Sequence, residues 1–169
     1  MNITPNQNEK TFSKDVLLVT KTDKQGKITY ANRSFLKIVM MSEEELIGQP
    51  HNIIRHPDMP KIIFKYLWQY LKFGTEVHAY VKNICADGSF YWVLANVTPS
   101  YSRVKSVEKI IGFHSSRRQA SLTALEVIVP LYKKLLDAEA LGGINESEKI
   151  ISAILHDKGM DYEEYILSI

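Results

Sequence analysis

Residues 75–101 read TEVHAYVKNICADGSFYWVLANVTPSY, and this segment constrains the fold more than any other part of the chain. Two runs rich in β-branched and aromatic residues flank Asp87-Gly88, a dipeptide that suits a tight reversal because glycine accepts positive φ. An antiparallel hairpin is predicted. A third strand is expected in EKIIGFHSSRR, after the polar loop SRVKSVEK. Upstream, Val16 to Thr20 and Lys27 to Tyr30 read as two short strands around the turn residues DKQG. Strands come in runs, with helices grouped between them, and do not alternate one for one. That order predicts an α+β domain with one antiparallel sheet and helices over one face.

The helices carry local stop and start signals. Asn32 is placed to cap RSFLKIVM, and Ser42 with Glu45 forms a capping box opening EEELIG. Gly48 and Pro50 end that element. Ile63, Tyr66, Leu67, Tyr70 and Leu71 then recur at helical spacing in a longer helix, with Asp58 as its cap, Pro60 in its first turn and Gly74 as its stop.

A boundary is expected near Arg118. Residues 1–11 form a polar arm, 12–118 the main domain, and 119–169 a helical extension, either for docking or dimerisation or packed back against the sheet. Leu122, Leu125, Val129, Tyr132 and Leu136 have heptad spacing, interrupted by Pro130, which should bend the helix or start a new one. LGGIN breaks the run, Asn145 with Glu148 caps the next helix, and Asp161 with Glu164 caps a last short one.

Composition narrows the function. A formal charge of +2 with scattered lysines and arginines argues against nucleic acid. One cysteine, Cys85, rules out an intrachain disulfide and cysteine-rich zinc sites, and packing is its expected role. No stretch approaches the roughly 18 apolar residues of a membrane span, so a soluble cytoplasmic protein without membrane insertion is expected. Hydrolase motifs and phosphate-binding glycine loops are absent, so enzymatic turnover is not expected.

PHNIIRHPDMP, residues 50–60, packs two histidines, an arginine, an aspartate and three prolines into eleven positions. Proline-rich geometry suits a stiff connector. Yet Arg55 supplies planar donors for phosphate or carboxylate, and His56 can donate or stack. A metal site through His51, His56 and Asp58 is disfavoured, because no helical pairing aligns them. In FYWVLAN, strand alternation puts Phe90 and Trp92 on one face and Tyr91 on the other. Such aromatics serve a core, or they wall an isoalloxazine or porphyrin.

Together LVTKTDKQGKITYANRSFL, SEEELIGQPHNIIRHPDMP, FKYLWQYLKFG, VKNICADGSFYWVLANVTP and IIGFHSSRR resemble the PAS sensor domain of the aerotaxis (Aer) receptor family, over residues 12 to 118 in order. The resemblance implies a PAS fold, with five antiparallel strands, helices across one face, and the ligand between them. It also implies FAD binding and redox sensing without turnover. Carried over residue by residue, the implied cofactor-binding positions are Asn32, Arg55, His56 and Asp58, with Trp92 added as an aromatic wall. The family's tryptophan after the longer helix aligns here with Val77, and neighbouring His78 keeps haem b as the alternative cofactor. A cofactor-free PAS adaptor is the third reading. Lacking membrane, HAMP and signalling segments, the chain looks like the stand-alone PAS half of a bipartite energy-taxis system of the CetB type. Its expected partner is a separate membrane-bound methyl-accepting-type receptor, with a homodimer as a further possibility.

Overall fold

The computed structural model describes residues 3–104 and 107–169. Strands β1 (Leu18–Asp23), β2 (Ile28–Ala31), β3 (Val77–Ile84), β4 (Phe90–Val104) and β5 (Val107–Gln119) form one antiparallel sheet in the order β2-β1-β5-β4-β3. Helices α1 (Arg33–Val39), α2 (Glu43–Leu46) and α3 (Lys61–Lys72), with a 3-10 turn at His51–Ile54, lie between β2 and β3 in the chain. Helices α4 (Leu122–Gly142), α5 (Ile144–Lys158) and α6 (Tyr162–Leu167) follow the sheet.

The β3–β4 hairpin turns where Asp87-Gly88 predicts. Gly88 has φ +81°, and a Cβ there would lie 2.3 Å from the Thr4 carbonyl oxygen, so both the turn and the N-terminal arm need glycine. Gly112 is a second obligatory glycine, because its Cβ would meet Thr22 O at 2.0 Å across the β1–β5 pairing. The expected loop SRVKSVEK is mostly strand: β4 and β5 stay paired through Arg103–Glu108, and only residues 105 and 106 fall outside the described residues. The first strand starts at Leu18 instead of Val16, whose N–H is used in a turn onto Ser13 O.

Local caps form as the sequence predicts. Asn32 Oδ1 accepts from Phe35 N at 3.0 Å, and Ser42/Glu45 and Asp161/Glu164 are complete capping boxes. Other expectations are corrected. Asp58 does not cap α3; Pro60 holds the N-cap position without a side-chain bond, and Glu139 of α4 supplies the acceptors instead. Asn145 does not open α5, which starts at Ile144 after Gly143. Pro130 neither breaks nor restarts α4, since it faces solvent, where the carbonyl it leaves unpaired needs no protein donor.

Both faces of the sheet are covered. Tyr91, Val93 and Ala95 of β4 point towards α1–α3. Trp92 points to the other side, where its ring lies 5.9 Å from Tyr132 of α4. Tyr132 OH also donates to Tyr80 O of β3 at 2.7 Å. The buried face of α4 is therefore Ala124, Ile128, Tyr132 and Leu135. The heptad reading shares only Tyr132 with it, and Leu122 is 80% exposed. The helix lies on a sheet and against α5, which together demand a broader face than a two-helix seam. Ala124, Ile128, Tyr132, Leu135, Ile151 and Ile166 join the same hydrophobic cluster as Phe35, Ile63 and Val93. Each of the leucine, isoleucine, valine and phenylalanine side chains among them contributes roughly 1.5–3 kcal/mol on full burial.

Candidate functional site

A cavity of about 260 Å³ lies between α3, the 3-10 turn and the inner face of the sheet. Strand alternation explains its floor: Val81 and Asn83 of β3, Ala95 and Val97 of β4, and Ser115 and Arg117 of β5 all point inward. Most are small, which leaves the space. The roof is apolar, formed by Phe64, Leu67, Trp68 and Leu71, one stripe of α3. At the rim, the Trp68 ring packs against the turn at Gly26, where φ of +79° and not the indole is what favours glycine.

One wall is polar and charged. Arg117 is 4% exposed, and its Nη1 donates to Thr20 Oγ1 at 3.0 Å. Its Nη2 lies 2.8 Å from His51 Nε2. A guanidinium only donates, so His51 Nε2 is the acceptor and the ring is neutral. Burial first, then the charge of Arg117, pushes the His51 pKa down to about 3. Burial also lowers Arg117, to about 10, which leaves it charged at neutral pH. Phe35 lies under the guanidinium at 5.5 Å, and among the described residues no carboxylate pairs with it. An unpaired buried cation is costly, as are buried polar atoms without partners. Two of the latter, Asn83 Nδ2 and Ser115 Oγ, belong to cavity-lining residues.

Arg55 guards the mouth. Its guanidinium sits 4.1 Å from the Phe64 ring centre, and Nη2 donates to Met59 O at 2.9 Å. Burial lowers its pKa, and the nearby charge of Glu139 opposes that shift.

Of the five expected cofactor residues, only Arg55 lines this cavity. Asn32 is committed to local structure: besides capping α1, its Oδ1 accepts from Val19 N at 3.1 Å and its Nδ2 donates to Leu17 O at 2.9 Å. His56 and Asp58 belong to a segment that runs along the outer edge of β3. There Arg55 bridges to Asn83, His56 N donates to Lys82 O at 3.3 Å, and Lys82 N donates to Met59 Sδ at 3.1 Å. Asp58 pairs with Lys82 Nζ at 2.6 Å, and the buried His56 ring packs edge-on against Phe90, 5.8 Å between centres. So 55–59 closes the sheet edge, while its neighbour His51 reaches the cavity. Trp92 lies on the far face, under α4. His78 is there too: it pairs with Glu163 of α6 through Nδ1, its N–H donates to Glu163 Oε2 at 2.8 Å, and Nε2 lies 3.0 Å from Asn96 Nδ2. Val77 is buried on the cavity side without lining it, and Cys85 is fully buried elsewhere in the core.

Sequence reading missed Thr20, His51, Asn83, Ser115 and Arg117 as a group. The available sign was an arginine at the same strand parity as Ser115 and Phe113, a charge placed where alternation calls for a buried residue.

Among the described residues no cluster of three metal-binding side chains occurs, and no helix is long and apolar enough to cross a membrane. A family model described as PAS fold matches residues 28–114. The chain is 41% identical over 121 residues to the aerotaxis receptor of Escherichia coli (strain K12), covering 72% of this chain and 23% of that protein. It is 28% identical over 81 residues to a nitrogen fixation regulatory protein of Klebsiella pneumoniae, covering 48% of this chain and 16% of that one. The chain thus spans less than a quarter of the length of these relatives. Among solved structures, the light state of the blue-light photoreceptor Aureochrome1 LOV is similar with TM-score 0.58 at 19% identity, over 67% of this chain and 88% of that one. A light-oxygen-voltage domain studied with a flavin analogue is similar with TM-score 0.58 at 15% identity, over 69% and 87%.

Proposed function

The chain belongs to the PAS-fold family, and from that premise we propose that it is a redox sensor that holds FAD in the cavity and reports to a separate chemotaxis receptor. One observation carries the reading: the wall presents a buried Arg117 that no carboxylate pairs with among the described residues, together with the unpartnered atoms Asn83 Nδ2 and Ser115 Oγ. Such a wall is completed by a flat guest with polar edge atoms and negative charge density. At about 260 Å³ the cavity falls below the roughly 300–1,000 Å³ of sites that engulf a drug-sized ligand. It suits the ring system of FAD, with the remainder leaving past Arg55.

Phe64, Leu67 and Trp68 would exclude water from the ring faces, Asn83 and Ser115 would meet its polar edge, and Arg55 would hold the diphosphate. His56 and Asp58 act indirectly, by holding the segment that carries Arg55, and Asn32 by fixing α1 to β1. Bound FAD supplies reversible electron uptake and carries more negative charge once reduced. Arg117 favours that charge, so the two redox forms load this wall differently. For a signal, they must also favour different arrangements of the protein, with a coupling of about 1–3 kcal/mol. The proposed partner is a membrane-bound receptor with HAMP and signalling segments, met from the cytoplasm.

Haem ligated by His78 is the lesser reading, because that side chain points away from the cavity and into α6. The deciding experiment is the visible spectrum of freshly purified protein before and after dithionite, with the released cofactor identified by chromatography. A two-banded yellow spectrum that bleaches, with FAD released, is expected. A Soret band would move the case to haem, and colourless protein that takes up neither would leave an adaptor.

A further inference from the structure

Helix α3 is loaded on two sides. Phe64, Leu67 and Trp68 roof the cavity, while the opposite side carries the C-terminal helices. There Tyr66 stacks on Tyr162 with ring centres 4.8 Å apart, and Lys65 pairs with Glu148 at 2.7 Å. Its N-terminus begins at Pro60 and has no cap of its own. Glu139 fills that role, with Oε2 accepting from Lys61 N and Oε1 from Ile62 N, both at 2.9 Å. The fully buried Ser147 of α5 shares its one hydroxyl proton between the same carboxylate, at 3.1 Å, and Ile144 O, at 2.9 Å.

Glu139 sits in the last turn of α4, where the negative end of its own helix dipole disfavours a carboxylate. The positive end of α3 repays it. The side chain is therefore placed for the contact between elements and against local preference. Arg55 stands at the same end of α3, with Nη2 on Met59 O and its guanidinium over the Phe64 ring, either side of the Lys61 and Ile62 N–H groups that Glu139 accepts from.

We infer that Glu139 is a positioning residue that links the cavity to the C-terminal helices: a negatively charged group arriving at Arg55 repels Glu139, weakens its cap on α3, and loosens α4–α6. The assigned ligand, FAD, rests on the functional reading above. The latch itself does not. Linkage fixes the reciprocal effect, since whatever removes the Glu139 charge favours the ligand. Glu139→Gln keeps one acceptor oxygen and loses the repulsion, so FAD should bind about fivefold tighter or more, although the ligand-free protein unfolds at a lower temperature. A purely structural role would lower both.

The test is hydrogen–deuterium exchange on the full chain, wild type and Glu139→Gln, with and without FAD, beside an FAD titration of each. Support is faster exchange in residues 61–66 and 122–158 of wild type on adding FAD, absent in the variant, with the tighter binding. Equal affinities, or exchange in 122–158 indifferent to FAD, would overturn the link. Should wild type take up no FAD, the flavin reading fails, and the ligand-free comparison decides the latch. Faster exchange in both segments of Glu139→Gln then supports it, and a change confined to residues 61–62, or none, overturns it.

Discussion

Arg117 and His51 meet at 2.8 Å on the cavity wall, a buried cation donating to a neutral imidazole. Thr20 completes the group, 3.1 Å from the same ring nitrogen. None of the three offsets the charge. The wall is held together by hydrogen bonds yet keeps a net positive potential, which a low-dielectric interior screens weakly.

Replacing Arg117 by methionine should therefore separate stability from binding. Removing an unpaired buried charge for an apolar side chain of similar length is expected to leave the ligand-free melting temperature unchanged or raised. FAD affinity should fall at least tenfold, about 1.4 kcal/mol. Thermal unfolding and a flavin fluorescence titration on one preparation read both. Unchanged affinity would remove Arg117 from ligand chemistry.

Stability should fall with acid through His51. Its folded pKa, about 3, lies below the ordinary 6.5, so the unfolded chain takes up a proton that the folded one refuses. The contribution is complete above pH 6.5 and declines as pH drops from there towards 3, by up to about 1.4 kcal/mol per pH unit. Urea unfolding at stepped pH measures it. His51→Gln should flatten the slope in that window, and an unaltered slope would place the titration elsewhere.

Ser115→Ala has opposite effects on the two states. In ligand-free protein it deletes a buried hydroxyl without a partner, so stability should rise by about 1 kcal/mol. The same change should weaken FAD binding several-fold, and a melting curve beside a titration distinguishes the two.

Within RHPDM the roles should divide. Arg55→Ala should lower FAD affinity about tenfold. Asp58→Asn, at a pair with Lys82 whose carboxylate is exposed, should shift stability by no more than about 1 kcal/mol and leave affinity alone. His56→Ala should destabilise, by about 2 kcal/mol, through the lost edge contact with Phe90. If Asp58→Asn weakened binding as strongly as Arg55→Ala, the segment would be acting at the ligand as one unit.

What was legible in the sequence is what is local. The Asp87-Gly88 turn and the caps at Asn32, Ser42 and Asp161 each join residues three or four apart, so the residues concerned stand side by side in the text. The cap on α3 comes from 78 residues away, and nothing near Pro60 announces it. Alternation placed Phe90 and Trp92 together and Tyr91 opposite, correctly. It could not say which face holds the cavity, because helices cover both and both therefore read as apolar. The charged wall was hidden for a related reason. Arg117 and His51 lie 66 residues apart, and only the strand parity it shares with Phe113 and Ser115 marks the arginine as inward-facing.

The distance between α3 and its cap also bears on the order of synthesis. On the ribosome α3 emerges with a proline-led, unprotected first turn, and the carboxylate that secures it is made 78 residues later. Sheet and roof can collapse earlier, but the roof stays loose until α4 has left the exit tunnel and folded back. The roof of the cavity is thereby expected to be secured late, and a chain cut short of Glu139 would leave the first turn of α3 without its acceptors.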